Sequence, residues 1–472
     1  MLFSSSVFLF LFLPLVLILY YLALRRWRQG QNVFLLLASL GFYAWGEPWF
    51  VLVMIASILA NYGFGLWVDA CKRAGRSCRA PIVAAVTANL GILFVFKYLT
   101  FTLGILNSLG AHFVIPGIEL PIGISFFTFQ ILMYTVSYYR GECEYISFLN
   151  YSLFISFFPQ LIVGPVVKED ELVPQIQGTA LLQFSHQDIC RGIMLFSVGC
   201  AKKILLANPM IDFATAFYGG DVSGASTVEA WVGVLCYTFA YYFDFSGYID
   251  MARGLGCFFG VNLPINFDSP YKAPDFASFW RRWNITISRF FNEYVFNNVF
   301  HFGDGVGKLI LAVMLTFAVS GIWHGADWHF VAWGLVNGIF VCVANLRALK
   351  MRKPLPVGLA VAMTFFCSVL IRVLFDCTGL TQAALIYRRM FSLTAWSDPA
   401  GLLASAASFA GDNLLLCITL AVSAVITFCF PNSNAIAEKE SFTLRDGVWC
   451  GLLMAASLFN MSQVSTFLYF NF

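Results

Sequence analysis

Charge is what this sequence has least of. Lys and Arg number 28 and Asp and Glu 25, so charged residues make up only 11% of the 472 and the formal net charge is +3. A soluble domain carries about 25% charged residues, and a polar-surfaced globule could not cover itself with so few. Disorder is excluded by the same arithmetic, because 60% of the chain is apolar. There is no basic tail and no Lys/Arg stripe that could neutralise a run of phosphates, which excludes a nucleic-acid binder. The 13 cysteines contain no CxxC pair, and Cys236, Cys342, Cys367, Cys417 and Cys429 lie inside apolar runs. Thiols in such places pack as small hydrophobes, so neither a metal site nor a disulfide framework is expected. The P-loop, the GxSxG elbow, HExxH and the Rossmann glycine fingerprint are all missing. No internal repeat or separate soluble domain stands out.

What is there is a succession of long apolar runs. The first, Leu2 to Leu24, is long enough to cross ~30 Å of hydrocarbon. It has no basic stretch before it and no small-residue cleavage site, so it reads as a retained helix rather than a signal peptide. Arg25, Arg26 and Arg28 follow it at once and should anchor that end in the cytosol, with the N-terminus outside. Lys72, Arg73, Arg76 and Arg79 form a second basic loop on the same side. Further apolar segments lie at 33–45, which returns outward, at 49–68, which crosses back to that second basic loop, and at 81–96, 123–138, 148–167, 189–206, 228–245, 309–322, 330–345, 357–373, 414–430 and 448–467. The reading is an all-α polytopic membrane protein, a single domain over 1–472 with about ten to twelve membrane-embedded helices. Several segments are short or interrupted, as at Pro121-Ile122-Gly123. Breaks at membrane depth survive only when buried in protein or lining a cavity, so some segments are expected to be re-entrant.

Polar groups are costly in such a chain, a charge at a helix centre by ~3 kcal/mol on insertion scales, and three places carry them. The stretch Trp323-His324-Gly325-Ala326-Asp327-Trp328-His329 joins two apolar segments. A neutral imidazole accepts a proton near physiological pH, so His324 is a candidate general base. It is equally readable as an interfacial residue in an aromatic belt. His329 reads as interfacial or as a support for His324. Asp244 ends a strongly apolar segment without a charged neighbour in sequence and could cap, fix a tautomer or orient a catalytic group. Arg281 and Arg282 fit either headgroup contact or bidentate binding of a phosphorylated donor. Asn284, which donates and accepts hydrogen bonds, could hold an acyl carbonyl. Arg372 reads as snorkelling or paired within the helices.

Ordered motifs then carry a resemblance. Phe42-Tyr43-Ala44-Trp45, Pro121-Ile122-Gly123-Ile124-Ser125-Phe126-Phe127-Thr128-Phe129-Gln130 and Phe158-Pro159-Gln160-Leu161-Ile162-Val163-Gly164-Pro165 are followed by Asp244-Phe245-Ser246-Gly247-Tyr248, Phe279-Trp280-Arg281-Arg282-Trp283 and Trp323-His324-Gly325. Together they resemble the membrane-bound O-acyltransferase superfamily, in particular its bacterial alginate O-acetyltransferase membrane-subunit branch. The motifs fall at about 30–375, and the helices of 376–472 match in hydrophobicity alone. The resemblance implies helices around a central funnel, His324 as catalytic base and Asn284 as the second site residue, where the branch usually has His. It also implies Arg281, Arg282, Asp244 and Trp323 as substrate-binding residues. No bound cofactor is implied; the acyl donor is a cytosolic thioester such as acetyl-CoA. The acceptor is a hydroxyl of a periplasmic SGNH-type acetyltransferase, of a polysaccharide-synthase complex or of its alginate- or cellulose-like polymer, at the bacterial inner membrane. The stretch Asn292-Glu293-Tyr294-Val295-Phe296-Asn297-Asn298 departs from the branch's usual pattern. Within the superfamily, peptidoglycan O-acetylation and teichoic-acid D-alanylation are the alternatives. Outside it stand a lipid or polysaccharide transporter, which would favour internal repeats, and a non-catalytic secretion scaffold.

Overall fold

A backbone in lipid must satisfy its own donors and acceptors, and apolar runs do so by winding into helices. The computed structural model describes residues 1–24, 27–178, 185–350, 355–461 and 468. Among these there is no β-strand, only an isolated antiparallel bridge between Phe267 and Trp283. Arg25 and Arg26, two of the arginines expected to anchor the first helix, lie outside the described residues.

Five described helices are long and apolar enough to cross a membrane: Phe50–Arg73, Arg79–Ser108, Val306–His324, Trp328–Leu349 and Val357–Asp376. A further pair, Pro399–Asp412 and Leu414–Cys429, is bent by 100° and forms a broken span or a re-entrant loop. Other apolar runs are wound in shorter pieces. The run at 148–167 becomes Phe148–Ser156 and the four-residue turn Phe158–Leu161, and that at 189–206 becomes His186–Ala201 followed by a π-helical turn, Lys202–Ala207. The Pro121-Ile122-Gly123 break precedes the helix Ile124–Arg140. Gly123 sits at φ 78°, where a Cβ would be strained and would also lie 3.0 Å from the Leu161 carbonyl oxygen.

The chain packs as two compact units. The first comprises Met1–Ser197, Tyr248–Pro264 and Lys439–Cys450; the second comprises Val198–Gly247, Ile265–Glu438 and Gly451–Phe472. In the first, Phe3, Phe8, Phe42 and Phe158 stack into one aromatic cluster. There, too, Asn61 and Asn89 exchange amide hydrogen bonds of 3.2 and 2.6 Å between neighbouring helices, the kind of polar contact that holds helices together where lipid offers no competing partner.

In the second unit the helices Val306–His324 and Trp328–Leu349 fold back on each other around small residues. A Cβ on Gly321 would lie 2.4 Å from the Phe330 carbonyl oxygen, and one on Gly334 2.4 Å from that of Phe317. Backbone on both sides leaves nothing that can yield. Gly321→Ala is therefore expected to destabilise the protein by about 1–3 kcal/mol, the usual cost of overpacking. Thermal melting of the detergent-solubilised protein checks this, with Gly358→Ala as control, because a Cβ there meets nothing within 4 Å.

Candidate active site

His324 is the last residue of the Val306–His324 helix. The chain leaves it through Gly325, where a Cβ would lie 2.0 Å from the Phe330 ring. It restarts at Asp327, whose carboxylate accepts the His329 N–H at 3.3 Å and caps the next helix. This tight return brings the imidazole inward. It is 9% exposed and packs against Trp323, Trp333 and Phe375 at centroid distances of 4.6, 4.9 and 5.0 Å, all edge-to-face. Such contacts fix the plane of the ring.

Asn284 comes from an irregular segment that is held just as firmly. Asp268 N–H donates to the Arg282 carbonyl and Ile285 N–H to the Asn266 carbonyl, both at 3.0 Å. The Asn266 side chain accepts from the Thr286 N–H at 2.9 Å and the Thr286 hydroxyl at 3.1 Å. Between these anchors Asn284 adopts φ 44°, ψ 56°, a left-handed conformation that Asn tolerates better than most residues. Its side chain is buried, and Oδ1 finds no hydrogen-bond partner among the described residues. An unmet buried acceptor costs about 1–3 kcal/mol, so its persistence here points to a ligand.

His324 and Asn284 line one cavity of about 40 Å³, entirely within the second unit. At ~10–15 Å³ for each water-sized group, it holds only a few heavy atoms. Arg372 lines it too, donating through Nε and Nη2 to the two Asp376 oxygens at 2.7 and 2.8 Å. The pairing expected for Arg372 is therefore present, but at the cavity wall. Asn337 accepts the Trp280 indole N–H at 3.2 Å and donates to the Trp333 carbonyl at 2.9 Å, which fixes two walls of the cavity.

Residues 84–355 match the sequence model of the membrane-bound O-acyltransferase family. The chain belongs to that family. It is 34% identical to the peptidoglycan O-acetyltransferase of Helicobacter pylori, over 100% of this chain and 98% of that protein. It is also 34% identical to a Pseudomonas aeruginosa protein named "Probable alginate O-acetylase AlgI", over 84% and 76% of the two chains. A teichoic acid D-alanyltransferase of Streptococcus thermophilus is 26% identical over 49% and 58%. The protein is thus a multi-pass membrane O-acyltransferase.

The remaining residues singled out in this acyltransferase lie elsewhere. Arg281 is exposed and donates to the Ser278 hydroxyl at 2.9 Å, and Arg282 is half-buried; neither lines the cavity. Trp323 packs on His324 without lining it. Asp244 also stays outside the lining: its carboxylate is committed to Lys203 at 2.6 Å and to the Leu468 N–H at 2.9 Å. His329 Nδ1 sits 2.9 Å from the Leu374 carbonyl, and so ties the helix after His324 to the one carrying Arg372 and Phe375. Arg372, Asn337 and Asn266 were not singled out as site residues from sequence. For Asn337 and Arg372 the signal was present, as polar residues inside otherwise apolar runs.

Proposed function

We propose that the protein moves an acetyl group from a cytosolic thioester such as acetyl-CoA to a hydroxyl of a periplasmic partner protein or glycan, in the bacterial cytoplasmic membrane with its N-terminus outside. The observation that carries this reading is a buried imidazole and an unpartnered amide oxygen on the wall of the same small cavity. The acceptor hydroxyl gives its proton to His324 and its oxygen bonds to the acyl carbon, whose π pair moves onto the carbonyl oxygen. Collapse of that intermediate breaks the C–S bond, and the leaving thiolate takes the proton from His324. Ester and thiol result, with no bound cofactor needed. Asn284 offers its NH₂ to the acyl carbonyl, and its Oδ1 is left to accept from an N–H or O–H of the bound substrates other than the reacting hydroxyl. Arg281, exposed beside Trp280, suits the phosphates of the donor. The volume favours a short acyl group over a long chain.

Alginate-like polymer and peptidoglycan are the two acceptors in view. The full-length similarity to a peptidoglycan O-acetyltransferase favours the second. Native membranes given acetyl-labelled acetyl-CoA test the whole reading, because they retain whatever partner the reaction needs. Alkali-labile label is expected on periplasmic glycan or on a partner protein. Passage of unaltered label across the membrane would support a transporter, and no labelled product a scaffold; either outcome refutes the proposal.

A further inference from the structure

The proposed chemistry leaves one charged group on the cavity wall without a task. Arg372 and Asp376 form a bidentate pair near the end of a membrane-spanning helix, and the two side chains are not equally hidden. Asp376 is 1% exposed and lies behind the wall, whereas Arg372 is 11% exposed and belongs to it. The guanidinium is stacked, with Cζ 3.6 Å from the Tyr241 ring centre and 4.5 Å from that of Phe375. Asp376 takes Nε and Nη2. By the geometry of a guanidinium, Nη1 is then turned away from the carboxylate. Phe375 also carries the His324 imidazole on its ring at 5.0 Å. Imidazole and guanidinium are therefore separated by no more than that ring and its two contacts. A tetrahedral intermediate with one hydrogen bond on either side spans a similar distance.

A pair that served only to hold helices together could be replaced by packed apolar side chains at little or no loss. Here the charge is oriented by two rings and a carboxylate and presented to the cavity that His324 and Asn284 also line. We infer that Arg372 is a catalytic residue of this site. Its Nη1 donates to the oxyanion formed when the hydroxyl oxygen bonds to the acyl carbon and the carbonyl π pair moves onto oxygen. Asp376 is its positioning residue, holding the fork flat so that no reorganisation is needed as that charge appears.

This rests on the acyl-transfer reading, and the test separates the two. Initial rates of labelled ester formation are measured in membranes for wild type, Arg372→Gln, Asp376→Asn and the double variant Arg372→Gln/Asp376→Asn, with thermal melting of each protein. Arg372→Gln is expected to lower kcat about 10²–10³-fold, as loss of one oxyanion donor does, with KM little changed. It is also expected to lower Tm, because Asp376 is left buried without its partner. In the double variant, two neutral amides replace the pair, so Tm recovers while kcat stays low. Recovery of kcat together with Tm would show a purely structural pair and overturn the inference. A rise in KM at unchanged kcat would overturn it as well, since that marks ground-state binding of an anionic substrate. Absence of labelled ester from the wild type would instead defeat the acyl-transfer reading itself.

Discussion

Replacing His324 with alanine is expected to abolish acetyl transfer while the protein still inserts and purifies folded. The cavity lining contains no other good proton acceptor. Asn284 and Asn337 are not bases, Arg372 remains protonated, and the phenols of Tyr241 and Tyr271 are acids rather than bases at neutral pH. Loss of a general base costs ~10²–10⁴ in rate, which in a membrane assay amounts to loss of detectable product. The fold should survive because the imidazole ends its helix and meets its neighbours through ring contacts with Trp323, Trp333 and Phe375. His324→Gln sharpens the result, since glutamine keeps much of the volume and can hydrogen-bond but cannot take a proton in this pH range. Both variants should melt near wild type and leave the acceptor unlabelled. Normal acetylation by either would refute the assignment of the base.

How far these features could be read in advance depended on whether their cause was local. The break before Ile124 was legible, because proline and a left-handed glycine act on the backbone in place. His324 was legible as a candidate, because a polar ring at the junction of two apolar runs is costly, although the sequence left an interfacial place in an aromatic belt equally open. Asn284 was legible as a residue, but its left-handed turn was not, since that depends on Asn266, 18 positions earlier in the chain. The winding of apolar runs into pieces shorter than a span escaped hydropathy, which counts apolar residues and says nothing of where packing interrupts them. Arg281 and Arg282 looked like site residues because guanidinium forks suit a phosphorylated donor. Which side a short helix turns to a cavity is decided by tertiary packing, and Phe276–Trp280 turns Trp280 inward and leaves Arg281 outside.

Asp244 shows the same limit from the other side, and its removal should produce the largest loss of stability. In sequence it is a lone carboxylate at the edge of an apolar run; in the structure its partner is Lys203, 41 positions earlier. Lys203 lies on the π-helical turn Lys202–Ala207, and the two side chains are 5% and 1% exposed. Gly247 makes the approach possible, since a Cβ there would sit 2.8 Å from the Gly199 carbonyl oxygen and 3.0 Å from Lys202 Cβ. Asp244→Ala takes away the carboxylate that faces the buried Lys203 charge and removes the acceptor of the Leu468 N–H. Breaking one side of a buried pair costs about 3–5 kcal/mol, a large part of the total stability of most domains. The expected outcome is low yield and a sharply lowered Tm. The double variant Lys203→Met/Asp244→Leu removes both charges and should restore most of the Tm, because neither desolvation cost remains to be offset. Its labelled-ester assay decides the role of the carboxylate. A stable, active double variant places Asp244 in the scaffold, whereas a stable double variant with kcat lost at unchanged KM would place it in the chemistry after all.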